Sequence, residues 1–255
     1  ENLETAIKQI DKIKKITTEE KNFRIKNLEF FKSVGFPSKR FEDWKFSDFR
    51  KIVDSNFDEL EAKEVKTDSN KIDLLKDFDH NYIFLINGNF HSSNFDYEEK
   101  NKIRISSFSN DINYQPSKNP LICLNHALAK NGYNLEVTKG YKFKKILIIY
   151  NLFSKDLRNV ILNNKNKIKL NENSELHTLE YTINKSESKF INNSYEDITL
   201  EKNSKFKNLY MQNNKSNGYF HKYHKNKLLL NSECSNLIFS SGLKFNKLDI
   251  ETDLV

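Results

Sequence analysis

Cysteine and glycine are scarce in this chain, and their scarcity removes whole classes of protein. The two cysteines, Cys123 and Cys234, form no C-x-x-C pair, so neither a disulfide framework nor a zinc knuckle is encoded, and a reducing cytoplasmic setting fits best. With six glycines there is no G-x-x-x-x-G-K-[ST], no G-x-G-x-x-G and no G-x-S-x-G, which excludes the usual phosphate-cradling loops and the nucleophile elbow. Long apolar runs are missing as well. None approaches the about 18 residues that span a bilayer, and no charged-then-apolar segment opens the chain, so a soluble, unexported protein without membrane contact is expected. Glu1 rather than Met stands first, as in a trimmed or fragmentary start.

What is present is basic, polar and rich in Phe and Tyr. The net charge is +7 and 37% of the 255 residues are apolar, which suits a narrow, aromatic-rich core. A pI near 9.1 raises the question of nucleic acid, but the lysines are interleaved with Glu and Asp instead of forming one patch, so no nucleic-acid partner is expected. A coding bias toward A and T produces the same excess of Lys, Asn, Ile, Phe and Tyr.

The strongest internal signal is a repeat. Apolar-x-apolar pairs recur at a 30-residue interval: Ile168 and Leu170, Ile198 and Leu200, Leu228 and Leu230. They open the related segments IKLNENSELHTLEY, ITLEKNSKFKNLYM and LLLNSECSNLIFSS, which puts Ser174, Ser204 and Cys234 in one column. An apolar-x-apolar unit places both side chains on one face of a strand, and repetition at this period predicts a stacked-coil solenoid. A weaker copy at Leu135 and Val137 begins the stack, giving about three to four coils.

Before the repeat the chain reads as mixed. Residues 1 to about 34 have helical spacing with a break near Thr17, where Thr17 and Glu20 make a capping-box pattern, and Gly35 and Pro37 end the second helix. Trp44, flanked by Phe41, Phe46 and Phe49, is an aromatic anchor for this N-terminal part. Asp54 to Asp79 reads as loop, insertion or short helix. Tyr82 to Ile86 is a strand closed by an Asn87-Gly88 turn, and Ile103 to Ile105 a second strand. Pro116 and Pro120 lead into a helix through Leu121, Leu124, Ala127 and Leu128 that Gly132 caps. The division expected is a helical and mixed N-terminal domain over 1–120 and a β-solenoid core over 121–255.

The chemistry-bearing residues are few. His221 and His224 make an H-x-x-H pair, but on a strand positions i and i+3 point to opposite faces and cannot reach one ion. Glu180 falls within an apolar strand pattern, yet an unpartnered buried carboxylate is rare, so it is read as an edge residue at a strand end. Cys234 sits in the serine column as a small turn residue, with no His or Asp fixed near it to make it a nucleophile.

Several blocks resemble a known family. GFPSKRFEDWKFSDFR at 35–50 resembles the G-hydrophobic-P-x-x-R-x-E-x-W-K-[YF]-[ST] signature of the SufD proteins, within the SufB/SufD family of iron–sulfur cluster assembly. FLINGNF at 84–90 is similar to that family's Phe-x-Asn-Gly strand. LNHALAKNGYNLEVTKG at 124–140 resembles its L-N-x-A-x-x-x-D-G segment, with Asn131 where Asp is usual. LEY at 179–181, Asn193, Gln212, His221 and SGLK at 241–244 follow in the family's order. The E-G-C-T-A-P block of SufB is replaced by Glu180-Tyr181-Thr182-Ile183, which favours SufD.

The resemblance implies a non-enzymatic scaffold: a helical N-terminal domain, a right-handed parallel β-helix and a C-terminal helical domain. It implies pairing with a SufB-like paralogue through the β-helix and with a SufC-like ATPase through a C-terminal region absent here, the iron–sulfur cluster being handled by the complex. The family's Cys and His residues for nascent-cluster assembly lie beyond the position of Val255. No catalytic, cofactor-binding or metal-ligating residue is therefore assigned in this chain, and no cofactor is expected to be bound by it. An exposed last coil predicts association or aggregation of the isolated chain. The alternative is a β-helix carbohydrate-active lyase or hydrolase, which needs carboxylates or basic groups clustered on one exposed coil face; neither the repeats nor a signal segment supports it.

Overall fold

The computed structural model describes residues 3–13, 16–56, 74–108, 116–213 and 215–255; most of the loop or insertion expected between Asp54 and Asp79 lies outside them. Helices α1 (Leu3–Asp11) and α2 (Thr18–Val34) form where the helical spacing predicts. The Thr17 hydroxyl accepts from the Glu20 N–H at 3.1 Å, and Gly35, at φ 73°, ends α2. The Glu20 carboxylate, which a capping box would turn back to Thr17, pairs instead with Arg24 at 2.9 Å. Arg24 in turn donates to the carbonyls of Ala127 and Ala129 at 3.0 and 2.9 Å, fastening α2 to α4 (Pro120–Leu128). Helix α3 (Phe49–Asn56) precedes the strands.

Among the described residues twelve strands form two six-stranded sheets. One runs β2 (Asn89–Asn94), β1 (Asn81–Ile86), β5 (Leu147–Phe153), β7 (Glu175–Asn184), β9 (Lys205–Gln212), β11 (Glu233–Ser240). The other runs β3 (Ile103–Ser107), β4 (Tyr133–Val137), β6 (Val160–Leu170), β8 (Phe190–Leu200), β10 (Gly218–Leu228), β12 (Phe245–Leu254). Each coil gives one strand to each sheet, and pairing is parallel except for β1 with β2 and β3 with β4. The result is mainly β: a few N-terminal helices followed by a parallel solenoid of about 4 turns with roughly 30 residues per coil. The Asn87-Gly88 turn joins β1 to β2 with both residues at positive φ, 51° and 80°, the geometry that matches the twist of a hairpin.

The register confirms the first part of the repeat and corrects the last. Leu135 and Val137 lie beside Ile168 and Leu170, which lie beside Ile198 and Leu200. The next coil is shorter: Leu228 stands beside Leu200 and Asn226 beside Ile198, a spacing of 28. The two residues are lost between β9 and β10; β9 has 8 residues where β7 has 10. Leu230 is therefore in the turn, 60% exposed, and the serine column continues to Ser232. Cys234 leaves that column and stacks beside Phe206, in line with Leu176 in the apolar core. The turn holds this register. Asn173, Asn203 and Asn231 all adopt positive φ, at 59°, 56° and 57°, and the N–H of each following serine donates to the carbonyl three residues earlier. Asn tolerates the left-handed region better than most side chains do.

Helix α4 lies across the outer face of β6 and β8, where Asn125 Nδ2 donates to the backbone carbonyls of Asn164 and Asn193 at 2.8 and 2.9 Å. It is capped by Ala129, not by Gly132 as its spacing suggests. Gly132 has a different task. At φ 129° it runs so close to β6 that a Cβ there would lie 1.9 Å from the Lys165 carbonyl oxygen. Trp44, 2% exposed, anchors the N-terminal segment to the stack itself: its ring stacks on Phe245 of β12 at 6.2 Å and 7° and meets Phe49 of α3 at 5.5 Å.

Candidate functional site

Alternation along a strand sends every second side chain into the coil. On β8 these are Phe190, Asn192, Ser194, Glu196, Ile198 and Leu200. Phe190 joins an aromatic cluster with Phe153 and Phe220 at one edge of the interior, and Ile198 and Leu200 join the long aliphatic core at the other. The residues between them are polar. The interior is thus a polar layer between two apolar ones.

Three ionisable groups meet in that layer. Lys222 of β10 donates to Glu180 of β7, and its Nζ lies 3.8 Å from Glu196 Oε1 and 4.7 Å from the centre of the Tyr210 ring. Asn208 Nδ2 donates to Glu180 at 3.0 Å, and Asn166 Nδ2 to Glu196 at 2.9 Å. The reading of Glu180 as an edge residue is therefore overturned: it is 7% exposed and inward, because Lys222 from a different coil supplies the counter-charge that a lone carboxylate lacks. His224, also inward, has a buried Nδ1 with no hydrogen-bond partner.

The electrostatics separate the two carboxylates. Burial raises Glu180, but the Lys222 charge, with His224 and two hydrogen bonds, brings it below the ordinary range. Burial pushes Glu196 up to about 7, reinforced by the Glu180 charge and opposed by Lys222. Lys222 is held well above its ordinary value by both carboxylates, against the burial that pushes it down. Burial, with Lys222, lowers His224 to about 3. The layer therefore holds one ion pair, Glu180 with Lys222, and one carboxyl, Glu196, that keeps its proton up to neutral pH.

This assignment has a testable sign. A carboxyl whose folded value exceeds its unfolded one binds more protons in the fold, so its contribution to stability is present in acid and is lost as pH rises between the two values. Glu196→Gln mimics the protonated form. Its stability relative to the parent is expected to improve by roughly 1.4 kcal/mol per pH unit between about pH 5 and 7, and to level off above the Glu196 value of about 7. Urea denaturation of both proteins across pH 5–8 measures it; a constant difference would contradict the assignment.

Chemically the layer can hold a proton and little else. A cavity of about 20 Å³ borders Glu196, Lys222, Ser194 and Asn166, room for about one water and none for a sugar. The carboxylates thus lie inside the coil instead of on the exposed face that a glycan-cleaving enzyme needs. His221 and His224 are not brought together: His221 contacts Trp44, Asn193 and Asp249 on the outer side, and His224 faces the charges of Lys222 and Glu180 inside. The Cys123 thiol donates to the Ser117 carbonyl and burial pushes it up to about 11; burial also raises Cys234. Neither is a reactive thiolate. Among the described residues no group of three or more His, Cys, Asp or Glu could hold a metal ion, and no helix is long and apolar enough to cross a membrane.

Lys222 and Glu196 escaped the sequence reading, although a signal was there. Glu196 shares parity with Ile198 and Leu200 on β8, as Lys222 does with Leu228 on β10, so both had to face the core. Among comparisons with known proteins, the family model described as the SufBD protein N-terminal region matches residues 8–149. No curated protein matches the chain.

Proposed function

The chain belongs to the SufBD family, and from that premise we propose that it is a SufD-type scaffold subunit that works with a SufB-like paralogue and a SufC-like ATPase. At family level the role is in SUF iron–sulfur cluster assembly, as an assembly component. The observation that carries the reading is the family match, which spans the W-K block of 44–45 and the L-N-x-A block of 124–127. Two features support the SufD side of the pair: Glu180-Tyr181-Thr182-Ile183 stands in place of the SufB cysteine block, and the Glu180 side chain is committed to a buried ion pair with Lys222.

The iron–sulfur cluster is cargo of the complex in this reading. The solenoid supplies the partner surface, the division at about residue 120 separates the helical and mixed part from the core, and the assembly works in the cytoplasm. Co-expression of the full-length gene product with SufB and SufC from the same genome, followed by affinity purification, is expected to recover a ternary complex. Recovery of this protein alone would sink the proposal.

A further inference from the structure

The outer face of β10 carries a histidine to which the scaffold reading assigns nothing. His221 is 1% exposed, its ring 5.8 Å from that of Trp44. Its hydrogens can be assigned by elimination. Asn193 Nδ2 lies 2.9 Å from the Leu121 carbonyl and 2.8 Å from Asn163 Oδ1. A backbone carbonyl only accepts, so that end of the Asn193 amide is its NH2 group, and the amide oxygen faces His221 Nδ1 at 2.8 Å. Nδ1 therefore carries a hydrogen. On the other side Nε2 is 3.1 Å from Oδ2 of Asp249, whose Oδ1 already accepts from Lys247 Nζ at 2.6 Å. A carboxylate is an acceptor too. The Nε2···Oδ2 contact is a hydrogen bond only when one further proton sits in it.

We propose that the His221–Asp249 pair is a proton-held clamp: charged by one proton at neutral pH, it keeps β12 and Trp44, and through Trp44 the N-terminal segment, seated on the stack. Asp249 and Lys247, both on β12, are the charged groups that act on His221; Asn193 of β8, Leu121 of α4 and Trp44 contribute no charge. Lys247 also sits 4.9 Å from the centre of the Trp44 ring, so the same strand end that grips His221 grips the tryptophan. Burial, with the Lys247 charge, works against the imidazolium and, with the electrostatics weighed alone, outweighs the Asp249 carboxylate and its hydrogen bond, which work for it. The hydrogen-bond inventory decides between them, because a neutral imidazole with its hydrogen on Nδ1 leaves a lone pair against a carboxylate at a buried position. When the proton leaves, the contact changes from attraction to repulsion and the seat of Trp44 loosens.

Trp44 is the chain's single tryptophan and reports on the clamp directly. Its emission is expected to change with pH in one step whose midpoint lies above the ordinary histidine value of about 6.5. His221→Gln removes the step. In Asp249→Asn the amide can donate to a neutral Nε2 while its oxygen still accepts from Lys247, so the midpoint is expected to move toward acid by at least about one pH unit, a tenfold change in proton affinity. Nitrogen NMR of 15N-histidine-labelled parent protein gives a readout that does not depend on the variants folding: both ring nitrogens of His221 should carry hydrogen at pH 7. A neutral His221 at pH 7, or a fluorescence step that is the same in parent and His221→Gln, overturns the proposal.

Discussion

Lys222→Met is expected to lower the free energy of unfolding by about 3–5 kcal/mol at pH 7, the usual consequence of removing one partner from a buried ion pair. Methionine matches the length of the lysine stem, so little packing is lost. What is lost is the cation that faces Glu180 and lies 3.8 Å from Glu196, and the Glu180 charge is then stranded between two apolar layers. Adding Glu180→Gln and Glu196→Gln to Lys222→Met should recover much of the loss, because the layer becomes neutral while its amides keep the hydrogen bonds that Asn208 and Asn166 donate. Urea denaturation of the single and triple variants checks both outcomes. A Lys222→Met protein within about 1 kcal/mol of the parent would show that the ion pair is not what makes this layer tolerable.

Gly132→Ala is the second large effect. The new methyl would sit 1.9 Å from the Lys165 carbonyl oxygen and 2.7 Å from its carbon, and the residue already holds φ at 129°. Both obstacles are backbone, so no side-chain rotation relieves them. The junction must open, endangering the Lys165 N–H to Asn131 bond and the Phe108 N–H to Gly132 bond. A loss of about 4 kcal/mol or more is expected, in the range reserved for outright steric failure. Gly140→Ala is the control: its φ is also positive, at 75°, but nothing lies within 4 Å of a Cβ there, so roughly 1–2 kcal/mol of backbone strain should be all it suffers. Equal melting temperatures for the two variants would remove steric closeness as the reason for glycine at 132.

The parts legible beforehand were those governed by local periodicity. The α2 cap at Thr17, the hairpin turn at Asn87-Gly88 and the stacking of Leu135, Ile168 and Ile198 all follow from patterns within a few residues or from their repetition. The shorter coil was misread for a related reason. A deletion of two residues leaves the alternation of a strand unchanged, so spacings of 28 and 30 both point apolar side chains inward, and the pattern alone cannot choose between them. The left-handed Asn that precedes serine at 173, 203 and 231 does choose, because that conformation fixes the turn.

Glu180 shows where periodicity stops. Its parity with Leu176 put it inside the coil, but the rule that buried carboxylates need partners argued against that, and its partner lies 42 residues away. The sequence by itself determined that this protein is a parallel stack of coils, and which side of each strand faces the core, because strand geometry is set residue by residue. The tertiary structure alone decided that Lys222 answers Glu180 and Glu196, that Gly132 must pass against Lys165, and that Asp249 stands against His221. Charge compensation and close approach are properties of several coils stacked together, and no single segment contains them.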